Sequence, residues 1–425
     1  MKKYHWQGWG LLPLFISKTV FNKIVAAPGW FHWSEGLGQD QIKDLRRFYT
    51  RAAADLMRPM SSGRFVFTSM DGDTPLLTMV PTYSEQIGSA SINVTKLQLI
   101  ALGEVSLLYI HFESSSQFDM HAVSELNRVV FQWEPRTQAH QITRWRNQDG
   151  HVRPLKQQIS DLIGIVLEQD SHYEEDAFGH ELVNCSWIRQ MDNSGLGENL
   201  CVSDLSAGIN LSDPRYQLSD QEKKRLLDNQ FSYWADWRCQ FNLNRLVFVD
   251  QTEGDSALAF NLSGNNYYLD LLAAVIGQRA TLNRFKDEMV LCSNKQRGNL
   301  YERIAIFRKQ YKISNISTYP FAERLYQYLC YQTDLELVEE KTFVELEHNY
   351  ALWKQEKEDS SNAVMLLVSL VAALLVPASS IATIMALSKS QMNLLYWSLS
   401  GGITLVTVLV MIWPPLKRYW KGRKS

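Results

Sequence analysis

The chain has 425 residues, of which 45% are hydrophobic and 21% charged, and its formal net charge is −2. This near-neutral balance argues against a nucleic-acid partner, because proteins that bind phosphate backbones are usually strongly basic. The five cysteines are scattered and form no CxxC pair, which favours a reducing compartment over a disulfide-stapled fold. The N-terminal apolar run of about seven residues is too short for a cleaved signal peptide. We therefore expect the large N-terminal part to lie in the cytoplasm.

Short apolar runs separated by turn residues predict a sheet in the first 260 residues. Strands are expected at 64–69, 76–80, 96–102, 105–112 and 245–250. Apolar residues at helical spacing predict helices at 39–57, 118–132 and 154–168. Ser219 followed by Glu222 is a capping-box pattern that begins another helix. This order of elements predicts an α/β or α+β cytoplasmic domain over 1–260.

A helical stalk is predicted over 261–361. Helical spacing marks 265–291 and 299–311, and Pro320 begins a third helix that no Gly or Pro interrupts before Ser361. Its last apolar residues step by 3, 4 and 3 positions, as in a coiled coil: Phe343, Leu346, Tyr350 and Trp353. At 1.5 Å per residue this helix would be about 60 Å long. Such a helix either spaces two parts of the protein or carries a signal between them, and the periodicity fits both.

Two long uncharged runs follow, at 363–387 and 394–416. About 20 apolar residues cross a bilayer as a helix, so both runs predict membrane spans. We expect a first transmembrane helix at 362–388, an external loop at 389–393, a second transmembrane helix over 394–416 and a basic tail at 417–425. Because positive charge stays on the cytoplasmic side, both termini should be cytoplasmic in a multi-pass protein of the inner or plasma membrane. The alternative, a buried pair of core helices, rarely stays uncharged for so long.

From Asn362 the sequence resembles the CorA family of divalent-cation channels. The matching residues keep the family's register without gaps: Asn362, Ala363, Val364, Met365, Ser369, Ala372, Pro377, Ile381, Ala382 and Ile384. The resemblance implies a CorA-like fold class, with an α/β cytoplasmic domain and long stalk helices leading into a two-helix C-terminal transmembrane hairpin. It also implies a homopentamer that transports metal cations such as Mg²⁺ across the lipid bilayer and is gated through the cytoplasmic domain.

The resemblance implies that the first transmembrane helix lines a central pore. The residues it places on the pore are Asn362, Met365, Val368, Val376, Ser379 and Thr383. Met365 and Val368 would form a hydrophobic constriction that closes by dewetting. Ordinary packing between helices is the alternative for each of these residues.

The outer mouth of this pore departs from the family pattern. The family's Gly-Met-Asn signature aligns with Ala386, Leu387 and Ser388, while Met392 and Asn393 keep its last two residues further along. The resemblance therefore places the outer mouth at Ser388, Met392 and Asn393. In the family this tripeptide holds a hydrated ion, which suits Mg²⁺ because Mg²⁺ releases its waters reluctantly. Because the tripeptide is not in register here, the resemblance does not specify whether the pore selects magnesium.

An acidic stretch supplies candidate metal ligands: Asp170, His172, Glu174, Glu175 and Asp176. Oxygen-rich clusters of this kind can hold a divalent cation at a contact between subunits. A solvated acidic loop is the alternative interpretation.

The resemblance also implies an alternative to ion transport. Some CorA-like proteins without the tripeptide are membrane effectors of antiviral systems, including type III CRISPR loci, and are gated by a nucleotide second messenger. The resemblance implies this alternative, a signal-gated effector that permeabilises the membrane. The chain shows no Walker A or GxGxxG pattern and no catalytic motif, so enzyme activity is not expected.

Overall fold

The structure, a computed structural model, describes most of the chain up to residue 387. The described residues are 3–60, 63–69, 74–80, 91–133, 143–164, 181–191, 202–213, 215, 217–252, 254–291, 294–311 and 315–387. The chain divides into two compact units, Met1–Phe343 and Val344–Ser425.

One large mixed sheet forms the middle of the first unit. Its strands are β1 (Tyr4–Leu14), β2 (Trp30–His32), β3 (Arg64–Thr68), β4 (Leu77–Met79), β5 (Ile92–Leu102), β6 (Val105–Ser114), β7 (Arg144–Asn147), β8 (Val152–Pro154), β9 (Val183–Gln190), β10 (Trp237–Asn242) and β11 (Arg245–Asp250). The strand order is β10-β11-β9-β1-β6-β5-β4-β7-β8, with β3 joining β2 to β5. β9 and β11 are parallel, and the other described pairs are antiparallel.

β1 lies at the centre of this sheet, between β6 and β9. Two glycines let neighbouring side chains approach its backbone closely. A Cβ at Gly8 would lie 2.7 Å from the Phe131 ring, and one at Gly10 would lie 2.5 Å from a methyl group of Leu182. The side chains of Phe131 and Leu182 are thus fitted to a bare backbone at these positions.

Helices cover both faces of the sheet. They are α1 (Lys18–Val25), α2 (Gln39–Arg47), α3 (Arg51–Met57), α4 (Met120–Val129), α5 (Leu155–Ile163), α6 (Val202–Ser206), α7 (Asp220–Asp228), α8 (Ala257–Ala259), α9 (Tyr267–Leu291), α10 (Asn294–Tyr311), α11 (Pro320–Gln332) and α12 (Leu335–Leu387). A π-helical segment, Phe260–Gly264, continues α8. α1, α4, α5 and α6 share one hydrophobic core with the sheet, and α9 packs on the opposite face against β1 and β6.

α9 is the central helix of this second layer. Its first sixteen residues are buried almost without exception, because the sheet covers one side and α10 and α11 cover others. A helix buried all round needs no polar face, which explains why its sequence shows little amphipathic contrast. At Gly277 a Cβ would lie 3.0 Å from Leu102 of β5, so the helix sits close against the sheet.

One charged side chain is fully buried in this helix. Asp270 is fully buried, and its Oδ2 accepts hydrogen bonds from Arg64 Nη1 at 2.7 Å and from the Tyr49 hydroxyl at 2.6 Å. Tyr109 donates to Oδ1 at 3.2 Å, and Arg58 Nη2 lies 3.3 Å from Oδ2. Burial and the Asp270 charge together raise the pKa of both tyrosines well above 10, so both remain hydrogen-bond donors.

Several sequence predictions are confirmed in this unit. The strands expected at 105–112 and 245–250 are β6 and β11. Ser219 caps α7 by accepting a hydrogen bond from the Glu222 amide at 3.2 Å. Pro320 is the first residue of α11, as the missing amide proton of proline favours.

Two helices predicted as continuous are broken. The helix expected over 39–57 divides into α2 and α3, because Tyr49 forms a bridge with Ser317 and Thr50 has an extended backbone. The helix expected from Pro320 to Ser361 divides into α11 and α12 at Thr333 and Asp334. Asp334 adopts φ 51°, a left-handed conformation that stops an α-helix.

The membrane prediction is contradicted. Among the described residues, none of the helices combines the length and the apolar character needed to cross a bilayer. The predictions of a first transmembrane helix at 362–388 and of a multi-pass membrane location are therefore corrected. The external loop at 389–393, the second helix at 394–416 and the basic tail lie outside the described residues.

The fold class is corrected accordingly. The first unit is a mixed α/β fold in which helices lie on both faces of one large mixed sheet. The prediction of a fold class that includes a transmembrane hairpin is contradicted, because the described residues contain no helix that could cross a membrane.

Asp270→Asn should destabilise the first unit. The substitution keeps the side chain's shape but leaves two buried guanidinium groups without their counter-charge, which costs about 3–5 kcal/mol. Urea denaturation followed by tryptophan fluorescence measures this loss of unfolding free energy. Asp287→Asn, on the exposed side of the same helix, is the control and should change the value by less than about 0.5 kcal/mol. Equal stability of the two variants would contradict the role given to Asp270.

Candidate ligand-binding site

A cavity of about 950 Å³ opens between β1, β9 and the segment that contains α8 and the π-helix. The strands contribute His5, Gln7, Trp187 and Arg189. The antiparallel register places His5 opposite Arg189 and Gln7 opposite Trp187, so all four lie on one face of the sheet. The other wall is formed by residues from Asp255 to Gly264. The cavity therefore has one wall from the centre of the sheet and one from a short connecting segment.

Asp250, at the end of β11, joins these two walls. It is fully buried, and its Oδ2 accepts a hydrogen bond from Trp187 Nε1 at 3.0 Å and another from the Ser256 hydroxyl. Its Oδ1 accepts from the Thr252 amide at 2.9 Å and from the Thr252 hydroxyl at 2.6 Å. One carboxylate thus fixes the indole of the sheet wall and the beginning of the opposite wall together.

The second wall has an unusual backbone. Ser256 caps α8 by accepting from the Ala259 amide at 3.1 Å, and the chain then continues as the π-helix. π-Helical turns are rare and often occur at functional sites. Phe260 begins this turn at the cavity and is 63% exposed, although it is a large apolar residue. An exposed aromatic ring at the edge of a cavity provides a surface on which a ligand can pack.

The groups on the sheet wall differ in charge and in hydrogen bonding. Burial, and then the positive charge of Arg189, lower the pKa of His5, so its ring is neutral at pH 7. The His5 ring meets the Trp187 ring edge-on with 5.4 Å between centroids. Arg189 Nη2 donates to the carbonyl of Thr252 at 3.2 Å and to the carbonyl of Gly254. Within the described part of the chain, the buried Oε1 of Gln7 accepts no hydrogen bond.

This arrangement suits the binding of a small polar molecule. The cavity is lined by a cation, Arg189, an anion, Asp255, and an aromatic ring, Phe260. The Ser256 hydroxyl, a conceivable nucleophile, is already committed to Asp250 as a donor. Ligand sites of this size typically combine an apolar lining with a few convergent polar groups.

The predicted site residues lie elsewhere. Asn362, Met365 and Val368 are exposed on α12, in the second unit. The side chains of Val376, Ser379 and Thr383 are outside the description of that helix, as are the outer-mouth residues Ser388, Met392 and Asn393. The candidate metal ligands also lie outside the described residues: Asp170, His172, Glu174, Glu175 and Asp176.

Sequence reasoning missed the cavity. Its residues come from three stretches near positions 5, 188 and 260, and only the pairing of β1 with β9 brings the first two together. Polar His5 and Gln7 alternate with aromatic residues in the first strand, and that alternation was the available signal for a half-exposed strand face.

Comparison with known proteins adds no family to this description. No protein-family model matches the chain, and a search of curated proteins found no match. The resemblance to the CorA family therefore has no support beyond the residues that suggested it, and it stays a prediction.

Asp250→Ala should loosen the cavity wall. The substitution leaves the buried Trp187 indole N–H and the Ser256 hydroxyl without their acceptor, and each lost partner costs about 1–3 kcal/mol. We expect the unfolding free energy to fall by about 3 kcal/mol and the amides of residues 252–264 to exchange faster with deuterium. Asp255→Asn, five residues away and exposed, is the control and should leave both measurements unchanged. Unaltered exchange in Asp250→Ala would show that the carboxylate does not hold the wall.

Proposed function

We propose that the protein binds a small polar molecule in this cavity and responds to it through α9, which makes it a ligand-responsive protein. The proposal rests on the short connection along the chain between the cavity wall and α9. The cavity wall ends at Gly264, and α9 begins at Tyr267, so only Asn265 and Asn266 separate the ligand site from the central helix.

Both connecting residues are held in defined geometry. The Asn265 carbonyl accepts a hydrogen bond from Arg58, a member of the buried cluster around Asp270. Asn266 adopts φ 57°, a left-handed conformation that asparagine tolerates better than most residues other than glycine. A ligand that moves Phe260 therefore acts on a junction that Arg58 anchors to the base of α9. α9 in turn contacts α11, which leads towards α12.

This proposal keeps part of the function expected from the sequence. Ion transport depended on the two membrane spans and is not carried forward. Gating by a small messenger does not depend on the membrane spans. A nucleotide messenger, with a planar ring and charged groups, is one ligand that could pack on Phe260 and face Arg189.

A cavity-filling variant tests the site. Thermal denaturation of the full chain would be recorded with amino acids, nucleotides and sugar phosphates at 1 mM each. A ligand at 100 times its Kd adds about 2.7 kcal/mol of stability, which is a readily measured rise in Tm. We expect at least one compound to stabilise the wild type and Ser263→Ala but not Ser263→Trp, whose indole fills the cavity. It should also slow deuterium exchange at 265–270.

Two outcomes would count against the proposal. If no compound raises Tm, or if Ser263→Trp responds as Ser263→Ala does, the cavity is not the binding site. If a compound raises Tm without changing deuterium exchange at the start of α9, binding in the cavity stands, but the response through α9 is contradicted.

A second candidate function, assembly of several copies, is favoured by the surface of α12. From Ala363 to Ala373 the helix carries apolar side chains that are mostly exposed, and Met365 and Val368 are 68% and 60% exposed. Contiguous exposed apolar surface marks a site of association. We propose that matching helices from other copies cover it, which keeps the predicted self-association; the number of copies, five by the family resemblance, stays a prediction.

Light scattering after gel filtration tests this assembly. Burying a valine contributes about 1.5–3 kcal/mol, so Val368→Lys should raise the dissociation constant at least tenfold. Asn349→Lys, exposed on the same helix, is the matched charge control and should assemble as the wild type does. A wild-type monomer would contradict the proposal. So would binding of the chain to phosphatidylcholine vesicles in place of self-association.

A further inference from the structure

We infer that the Gln98 side chain is a two-state hydrogen-bond switch that couples the interior of the sheet to the start of α9. The inference deepens the proposed function, on which it rests for the signal that moves α9. Its basis is a row of four buried polar side chains that cannot all be satisfied in one arrangement: Trp9, His111, Gln98 and Arg64.

This row of side chains crosses four strands of the sheet. Trp9 of β1 donates its indole N–H to Nδ1 of His111 on β6 at 2.8 Å. The Nε2 atom of His111 lies 3.2 Å from Nε2 of Gln98 on β5. Arg64 of β3 donates from Nη2 to Gln98 Oε1 at 2.8 Å and from Nη1 to Asp270 at 2.7 Å. The row therefore connects the central strand of the sheet to the carboxylate at the start of α9.

Both ends of the row are groups that can only donate hydrogen bonds, since neither an indole N–H nor a guanidinium has an acceptor. Because Trp9 donates to Nδ1, the His111 ring is neutral and carries its proton on Nε2. Burial, and then the charges of Lys96 and Arg64, agree with this state, because they lower the pKa of His111 well below its usual value. The Nε2–H group of His111 therefore needs an acceptor, and so does Arg64.

Gln98 lies between these two donors and has only one acceptor atom. Its oxygen accepts from Arg64, so its amide nitrogen, which is also a donor, faces the His111 Nε2–H group. Turning the carboxamide over would satisfy His111 but would place the amide nitrogen against the guanidinium. The 3.2 Å contact leaves no room for water, and the four side chains are at most 2% exposed. One buried donor is thus unsatisfied in either orientation, which costs free energy.

Movement of α9 relieves this conflict. In the resting state Gln98 accepts from Arg64, because a hydrogen bond from a charged donor is the stronger of the two. If the start of α9 moves away from β5, Arg64 follows its ion-pair partner Asp270 and releases Gln98. The carboxamide then turns over and accepts from His111. The unsatisfied donor of the resting state lowers the free-energy cost of moving α9, so a ligand needs less differential affinity to shift it.

Gln98→Glu tests the switch without any ligand. A carboxylate has an acceptor at each end, so it can accept from Arg64 and His111 together. It also offsets the second guanidinium group of the cluster around Asp270. Urea denaturation of the full chain should show a folding equilibrium constant raised about tenfold. Deuterium exchange at 265–270 should slow about tenfold, because movement of α9 no longer relieves a conflict.

Gln240→Glu is the matched control. Gln240 is a fully buried glutamine of the same sheet, and its amide nitrogen donates to the Leu226 carbonyl at 2.7 Å. A carboxylate at this position meets another acceptor, so its folding equilibrium constant should fall. The opposite signs of the two variants separate the effect of the row from a general effect of exchanging glutamine for glutamate.

Nitrogen NMR of the histidine-labelled wild type tests the conflict directly. The signals of His111 are assigned by their absence from His111→Gln, and we expect the proton on Nε2. A proton on Nδ1 would overturn the inference, because the row would then contain no conflict. This measurement decides the question if Gln98→Glu does not fold.

The remaining outcomes separate the switch from the proposed ligand site. A folded Gln98→Glu variant with an unchanged or lower folding equilibrium constant, or with unaltered exchange at 265–270, would overturn the switch. The response of the wild type and of Ser263→Trp to added compounds is measured separately, so the ligand site would stand. If Gln98→Glu behaves as expected and no compound raises Tm, the switch stands and the cavity ligand is not its signal.

Discussion

The Asp270 carboxylate is the constraint on which the second layer of this fold depends. It is fully buried at the beginning of α9 and is met by two guanidinium groups, one from the sheet and one from the end of α3. Buried ion pairs add little net stability over well-packed apolar residues, but breaking one is costly. The main effect of this cluster is therefore to fix the position of the start of α9 relative to β3. Its net contribution to the stability of the core is small. That position also sets the end of the cavity wall, because Asn265 is held by the same arginine that faces Asp270.

The cavity has one rigid wall, formed by the strands, and one wall whose conformation can adapt, formed by α8 and the π-helix. His5 and Arg189 lie on hydrogen-bonded strands in the middle of the sheet, where local opening is costly. The opposite wall is one helical turn and a π-helix, held at its start by Asp250 and at its end by the junction to α9. Ligand sites are commonly built this way, with a fixed scaffold on one side and a short segment on the other that carries the response.

Local sequence patterns predicted local structure well where no distant contact competes. The run at 245–250 predicted β11 with its observed bounds, because a short continuous apolar run suits a buried strand. The pattern failed after Phe48, where the bridge of Tyr49 to the distant Ser317 and the extended backbone of Thr50 outweigh helical propensity. It also failed at α12, where an uncharged run was interpreted as a membrane span. The cavity could not be predicted, because strand register, which a single sequence does not specify, brings its residues together.

The central position of β1 has a consequence for how the chain folds. This strand is made before its partners β6 and β9, which end at residues 114 and 190. During synthesis β1 therefore has one edge unpaired until β6 has been made and the other unpaired until β9 has been made, and such edges are templates for pairing with other chains. Contacts between residues so far apart in sequence also slow folding. The two glycines that make β1 fit its neighbours reduce its strand propensity, and so lower the tendency of this early segment to pair before its partners arrive.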